Sequence, residues 1–495
     1  MNLQTPPVVP LTVRLAEHTV LAENVEDSRF LRHARSCGAK PHGVVLLSGG
    51  QDQMQSEGRY SIAGWEPLLT FESKGHSCRI RSPRGMRAIE GDPLRTLDEL
   101  FAGIRADYPL IVPPFSGGAM GYFAYDLKNT IERLPQTAED DLGLPDIFLV
   151  WPSRILVHDR LKKHLHFLAL SCDEQGAAVR NEPRHESGLL SKNMSLFEQG
   201  EPAERTEPPD TRRAIRVGAL ESNFKHEDYL QAVSKVRHYI REGDIYQVNI
   251  SQRYRFPLEG DAFLLWESLY EMNPAPFYAY INAGDHQVLS TSMERFLSRR
   301  GSTIETRPIK GTRKRGATPE EDEALRIELQ GDPKEDAELS MIVDLLRNDL
   351  GRVCSPRSIR VAEHKRMETY QNVHHLVSIV TGELRPRTTY GDLLRGTFPG
   401  GSITGCPKIR SMEIIDELEP HVRHVYTGSI GYLGFHENLD LNVAIRTGLV
   451  HKSTCYFSVG GGIVYDSKEE DEYQETLHKG RTLFQLIEKI GASEP

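Results

Sequence analysis

Strand-length apolar runs, closed by glycine and turn residues, recur along this chain without regular alternation with amphipathic helices. A doubly wound parallel sheet needs that alternation, so this pattern argues for antiparallel pairing instead. Gly43–Ser48 is one such run and ends in Gly49-Gly50; Ile147–Trp151 is another. Ile155–Val157 and Leu165–Leu170 flank a polar turn and predict a hairpin. In SGGAMGYFAYD (Ser116–Asp126) the small residues predict a strand that neighbouring backbone approaches closely.

Between Cys172 and Glu221 the chain changes character. Pro183, Pro202, Pro208 and Pro209 stand among Glu, Arg and Ser, with few aromatics, the composition of a linker or crossover. The expected organisation is a β-rich region over 1–190, a polar connection over 191–221 and a larger region over 222–495. After the connection, Ser222 or Asn223 is placed to cap a helix. Tyr229, Val233, Val236 and Ile240 form its apolar stripe, and Gly243 stops it. Strands are then expected to dominate to about Lys310, with a turn at Ala283-Gly284-Asp285.

Composition narrows the class. A chain of 495 residues buries a sizeable core without staples. Its six cysteines are scattered with no C-x-x-C pair, so neither a zinc framework nor a disulfide scaffold is expected. The net charge of −10 argues against a nucleic-acid binder. The opening residues lack a signal-peptide pattern, and no apolar run is long enough for a membrane helix. A cytoplasmic location, with no membrane partner, is therefore expected.

The sharpest chemical signal is a pair of acid pairs. In GDPKEDAELSMIVDLLRNDLG (Gly331–Gly351), Asp332 suits a helix N-cap and Pro333 the first turn. Glu335 and Glu338 then share a face that Met341, Ile342 and Leu345 continue inward. In DSKEEDEYQETLHKGR, Ser467 suits an N-cap, Glu472 and Glu475 are again three apart, and Lys479 follows by four. Two such pairs facing each other make an oxygen site for Mg²⁺. The bland alternatives are a capping-box glutamate at 335 and a solvated acidic run at 469–472.

Glycines and cations add an anion signal. VGGGIVYDS offers the bare amides of Gly460, Gly461 and Gly462, as a carboxylate cradle or merely a bulge. PGGSITGCPKIR leads a glycine-rich loop into a helix carrying Lys408 and Arg410, where an anion could sit. Arg446 lies in the apolar run LNVAIRTGLV and needs an anionic partner, from the protein or from a ligand.

Taken together these blocks resemble the chorismate-utilising enzymes, the family of anthranilate, aminodeoxychorismate, isochorismate and salicylate synthases. The resemblance runs in order through GDIYQVNISQRY, RPIKGTRKRG, AELSMIVDLLRNDLG, HLVSIVTGEL, GSITGCPKIR, YTGSIGY, LNVAIRT and GGGIVYDS. VLLSGG, RYSIAGWEP and GGAMGYFAYD resemble the N-terminal region of the aminating members more loosely. The implied fold is α+β, with two large antiparallel β-sheets packed face to face and helices on the outer faces. The implied roles fall residue by residue. Glu338 and Glu475 ligate Mg²⁺, with Glu335 and Glu472 flanking it. Tyr426, Arg446 and the 460–462 amides receive the enolpyruvyl carboxylate of chorismate. His375 stands near the C4 hydroxyl, while Ser402, Thr404 and Gly405 line the ring. Thr312 also contacts substrate, and Lys479 neutralises the acids.

Two positions choose among branches. Members that add water carry a lysine where this chain has Gln247, and a neutral amide suits ammonia. Anthranilate synthases have alanine at the place of Lys310, in PIKGT, whereas the aminodeoxychorismate branch has lysine. That implies a covalent role for Lys310 and amination at C4, on a route to 4-aminobenzoate and folate. An electrostatic role for Lys310 and a plain salt bridge remain as alternatives. Anthranilate formation and a non-catalytic, chorismate-binding regulatory paralogue are the competing functions. No cysteine sits in a glutaminase-type turn, so a separate glutamine amidotransferase subunit is the expected ammonia donor. Ser48 and the NPAPF block, with Asn273 and Pro274, match parts of a tryptophan site in the aminating relatives.

Overall fold

The computed structural model describes residues 11–50, 57–174, 215–370 and 372–491. The polar connection expected over 191–221 therefore lies outside the described residues up to 214, as does the start of the chain up to residue 10. From Ile215 the chain is already strand, Ile215–Val217, paired with the end of the Gln247–Gly260 strand.

Two large antiparallel sheets share one pair of long strands. Tyr60–Lys74 pairs with Ile147–Asp159 along almost its whole length, with a register shift between Pro67 and Leu69. On one side of that shift the pair joins Val44–Leu47 and His164–Glu174. That sheet continues through Tyr278–Asn282, His286–Ser290, Thr447–His451 and Thr454–Ile463 to Gln247–Gly260. On the other side the pair joins Gly118–Phe123, then Ser429–Gly434, Asn438–Asn442, Arg295–Arg300, Thr303–Arg307 and Val373–Glu383. Each sheet thus mixes strands from before and after residues 175–214. A shift in register bends a strand and strengthens its twist, and here it lets two strands serve both sheets.

Apolar side chains alternate to match. Ile62, Tyr122, Phe148, Val248, Ile250, Ile281, Leu376, Ile430 and Leu441 meet in the core between the sheets. The opposite face of the first sheet, with Val45, Leu47, Tyr254, Phe256, Tyr278 and Tyr280, is covered by helices Asp27–Gly38, Ala262–Met272 and Glu469–Gly491. The expected hairpin is present, with Ile155 opposite Leu168. The close approach expected at Ser116–Asp126 is also present. A Cβ on Gly121, whose φ is +156°, would stand 2.0 Å from the Phe148 carbonyl oxygen.

Three local expectations shift. The helix after the connection runs His226–Arg241, with Lys225 rather than Ser222 or Asn223 at its N-cap. The helix carrying the second acid pair begins at Glu469, not next to Ser467. Ser467 instead donates its hydroxyl to Glu472 Oε1 at 2.5 Å. Helix Ala262–Met272 interrupts the stretch read as strands. It buries Phe263, Leu264, Leu265, Trp266 and Leu269, and a helix buried on most sides shows no amphipathic period. Asp261 caps it by accepting from Phe263 N.

Candidate active site

Asp332 caps helix Pro333–Gly351 as its sequence predicts, accepting from the backbone of Lys334 and Glu335. Glu335 is not the reciprocal capping-box acid. Its carboxylate turns to strand Ile309–Lys314, where a Cβ on Gly311 would stand 3.2 Å from Glu335 Oε2. Arg313 Nη1 lies 3.5 Å from Glu335 Oε1. Burial, and next the charge of Glu338, push the Glu335 carboxyl above its ordinary pKa. Glu338 faces the same strand, with Lys310 Nζ 3.6 Å from its Oε2. Lys310 is only 17 % exposed.

The other wall is the glycine strand Thr454–Ile463, paired with Gln247–Gly260 so that Gly462 opposes Asn249 and Gly460 opposes Ser251. A Cβ on Gly460 would stand 2.6 Å from the Ile250 carbonyl oxygen, and side chains on the next two glycines would displace functional groups. A Cβ on Gly462 would stand 2.1 Å from Gln247 Nε2 and 3.5 Å from Lys310 Nζ. One on Gly461 would stand 3.2 Å from Glu472 Oε2 and 3.4 Å from Glu475 Oε1. The glycines thus let Lys310 and the helix carrying Glu472 and Glu475 close onto bare backbone. Glu472 is 6 % exposed, so the solvated-run alternative fails for it. Burial chiefly raises its carboxyl pKa, and Glu475 adds to that. Burial also opposes ionisation of Glu475, but Lys479, 2.6 Å away, outweighs it and holds that carboxyl low. Lys479 also donates to the Gly460 carbonyl at 3.0 Å.

His375 is buried on Val373–Glu383, beside Lys310, whose register partner is Leu376. Its Nδ1 meets Thr312 Oγ1 at 3.0 Å and the Gly311 carbonyl at 3.3 Å. Burial, then the charge of Arg446, lower its pKa to about 4, so the ring is neutral near pH 7. With Nδ1 turned to the Gly311 carbonyl, Nε2 is left without a partner. Arg446 sits at φ +50°, and no carboxylate pairs with it among the described residues. Strain of that kind persists where the surroundings hold it, often at ligand sites. Tyr426 is buried on the adjoining turn. Ser402 donates to Glu294 Oε1 at 2.7 Å, while Thr404 Oγ1 donates to the Gly400 carbonyl at 3.1 Å. Gly405 opposes Val248 at φ +144°.

Glu294 has no signal in sequence spacing. It is buried, held by Ser402 and the Ile309 amide, and feels Lys310 and Lys479. Burial dominates and raises its pKa to about 7. The cations at Lys408 and Arg410 face carboxylates of the protein rather than an open anion site. Lys408 Nζ is spent on Asp349 and the carbonyls of Thr397 and Pro399, and Arg410 on Asp244 and Glu413. Ser48 lines a small cavity of about 60 Å³ with Phe277, Tyr278, Arg295, Asp440 and Asn442. Pro274 packs behind it against Gly49, and Asn273 accepts from Asn372 instead of lining the cavity.

Around this site Gln247 Oε1, Asn249 Oδ1, His375 Nε2 and Glu472 Oε2 are among the buried polar atoms that have no hydrogen-bond partner within the described residues. Such atoms are costly unless a ligand completes them. Among the described residues no three His, Cys, Asp or Glu side chains converge closely enough to close a metal site. The all-carboxylate donor set, and the unpartnered Glu472 oxygen, nevertheless fit a hard divalent cation.

A family model described as chorismate binding enzyme matches residues 46–485. The chain belongs to the chorismate-binding enzyme family. Anthranilate synthase component 1 of Cereibacter sphaeroides is 40 % identical over 439 residues, 88 % of this chain and 87 % of that one. Aminodeoxychorismate synthase component 1 of Bacillus subtilis is 37 % identical over 465 residues, 94 % of this chain and 95 % of that one. The structure of anthranilate synthase component I from Streptococcus pneumoniae has a TM-score of 0.74 at 33 % identity, covering 86 % of this chain and 92 % of that one. The Escherichia coli isochorismate synthase MenF shares the fold at a TM-score of 0.69 and 16 % identity. This chorismate-binding enzyme thus stands at similar distances from relatives named anthranilate synthase and aminodeoxychorismate synthase component 1, and the choice between them rests on particular residues.

Proposed function

We propose that this enzyme aminates chorismate at C4 with ammonia, giving 4-amino-4-deoxychorismate. The observation that carries this reading is the Lys310 amine, set between Glu338 and the bare backbone at Gly462. Its alternatives in the sequence were a covalent role, an electrostatic role and a plain salt bridge. The contact with Glu338 is present, yet the amine also faces the glycine cradle, which a surface salt bridge would not need. In this reading Lys310 Nζ forms a bond to C2 of the ring. The two ring double bonds shift, and the C4 oxygen leaves as water with a proton from a nearby acid. Ammonia then bonds to C4, the double bonds shift back, the C2–N bond breaks, and the lysine is released.

Other residues bind and move protons. Unpaired Arg446 receives the enolpyruvyl carboxylate with Tyr426 and the 460–462 amides. Glu294, protonated below about pH 7 and hydrogen-bonded to Ser402, supplies the proton store next to Lys310. His375 Nε2 is available to the C4 oxygen. Glu338 and Glu475, flanked by Glu335 and Glu472, would hold Mg²⁺, which when bound neutralises the ring carboxylate. Gln247 disfavours addition of water because it offers no base. The ammonia donor is proposed to be a glutamine amidotransferase subunit, since the relatives are named as component 1 of their synthases.

The test is to incubate the purified protein with chorismate, ammonium salt and Mg²⁺ and to separate the products. Aminodeoxychorismate as the main product supports the reading. Anthranilate as the main product moves the enzyme to the other branch, and no turnover at all favours a regulatory chorismate binder.

A further inference from the structure

Beneath the proposed substrate walls lies an ion pair between two residues to which the sequence assigned no role. Arg423 and Glu419 are one helical turn apart in spacing, and their side chains are 2 % and 4 % exposed. All five guanidinium donors of Arg423 are used. Nε and Nη2 donate to Glu419 Oε2 and Oε1 at 2.8 and 2.6 Å. Nη1 donates to the Ile403 carbonyl at 3.1 Å and to Thr427 Oγ1 at 3.3 Å. Nη2 also donates to the Asn249 carbonyl at 2.8 Å. Glu419 Oε1 further accepts from Ser251 N at 2.8 Å and Ser251 Oγ at 2.9 Å. The guanidinium lies over the rings of Tyr125 at 4.9 Å and Tyr426 at 5.9 Å.

Three segments that the proposed site needs are therefore fixed to one planar group. Ile403 sits inside the Ser402–Gly405 loop. Asn249 and Ser251 follow Gln247 on its strand. Thr427, at φ +60°, follows Tyr426 and carries the strained turn on which that tyrosine stands. A buried ion pair adds little to stability over a well-packed apolar replacement. A fork that is held by both oxygens of Glu419 and bonds one acceptor in each of three segments instead fixes their relative geometry.

We propose that Arg423, held by Glu419, is a positioning residue that sets the spacing between the Ser402–Gly405 loop, the Gln247 strand and the Tyr426 turn, and so the affinity for chorismate. This rests on the proposed site, and the experiment separates the two. Arg423→Lys keeps the charge but has three rotatable donors and no fork, so it cannot reach all three segments. Arg160→Lys is the matched control, because Arg160 is also buried and makes a bidentate pair with Asp27, away from these segments. Three readouts are taken on the full chain: the melting midpoint, hydrogen exchange of peptides spanning 401–406 and 424–428, and steady-state kinetics that give KM and kcat for chorismate with saturating ammonium and KM for ammonium with saturating chorismate.

The expected result for Arg423→Lys is about ten-fold faster exchange in both peptides and a chorismate KM raised about ten-fold, with the ammonium KM nearly unmoved. Arg160→Lys should change neither. Should Arg423→Lys not fold, Ser251→Ala, which removes one donor to Glu419, is expected to raise the chorismate KM about three-fold. Unchanged exchange in a folded Arg423→Lys, or unchanged exchange and KM in Ser251→Ala, overturns the positioning role. If the parent enzyme does not turn over chorismate, the site reading fails, and the exchange data still decide whether Arg423 fixes the three segments.

Discussion

Glu294 puts a proton beside Lys310 that an exposed carboxyl would have lost. Its pKa rises from 4.5 to about 7 because burial penalises the charge more than Ser402, Lys310 and the Ile309 amide favour it. The sign of the linked stability follows. Between these values the folded protein holds a proton that the unfolded chain releases. The associated stability is fully present below 4.5, and it is lost as pH rises through about 7. Glu294→Gln should remove this dependence, so denaturation at pH 5 and pH 8 should differ less than in the parent, by about 2–3 kcal/mol. The same variant should lose the alkaline limb of kcat/KM near pH 7. An unchanged limb would show that another group supplies the proton. Lys310→Ala should abolish C4 amination by at least about a hundred-fold while leaving the melting midpoint within about 3 °C, as checked by product assay and calorimetry. Nothing in spacing pointed to Glu294, because a single acid in SMERF carries no periodic partner. The acid pairs were legible because helices repeat, and the cap of the first helix is written in Asp332 and Pro333.

Helices and loops show where cations go. Lys408, expected near an anion, instead ties helix Lys408–Leu418 to Asp349 of helix Pro333–Gly351, at 2.7 Å and largely out of solvent. Removing one partner leaves the other charge buried, so Lys408→Met should cost about 3 kcal/mol in urea denaturation. Lys235→Ala, which breaks the exposed pair with Glu417, should cost under about 1 kcal/mol. Equal losses would contradict the burial argument. The misplaced reading has a physical cause: a helix start with nearby cations looks the same in sequence whether its partner is a ligand or a distant aspartate. Helix Ala262–Met272 was hidden for a related reason, since burial on most sides erases the period that marks a helix. The hairpin at Ile155–Leu170 was legible because its partners are adjacent in sequence.

At the scale of the whole molecule, neither sheet belongs to one part of the chain. Val44–Leu47 pairs with Tyr278–Asn282, and Gly118–Phe123 pairs with Ser429–Gly434. Residues 1–190 and 215–495 made as separate chains should each fail to give a cooperative melt, and should recover chorismate turnover when co-expressed. A cooperative, soluble 1–190 fragment would contradict this. Such long-range pairing cannot be read from local patterns, which is why the order of blocks, more than periodicity, pointed to the two-sheet architecture. The central claim is the carbon that receives nitrogen. With ¹⁵N-ammonium, chorismate and Mg²⁺, carbon NMR of the product should show nitrogen coupled to C4 and the enolpyruvyl group retained. Nitrogen on C2 with release of pyruvate would contradict the account.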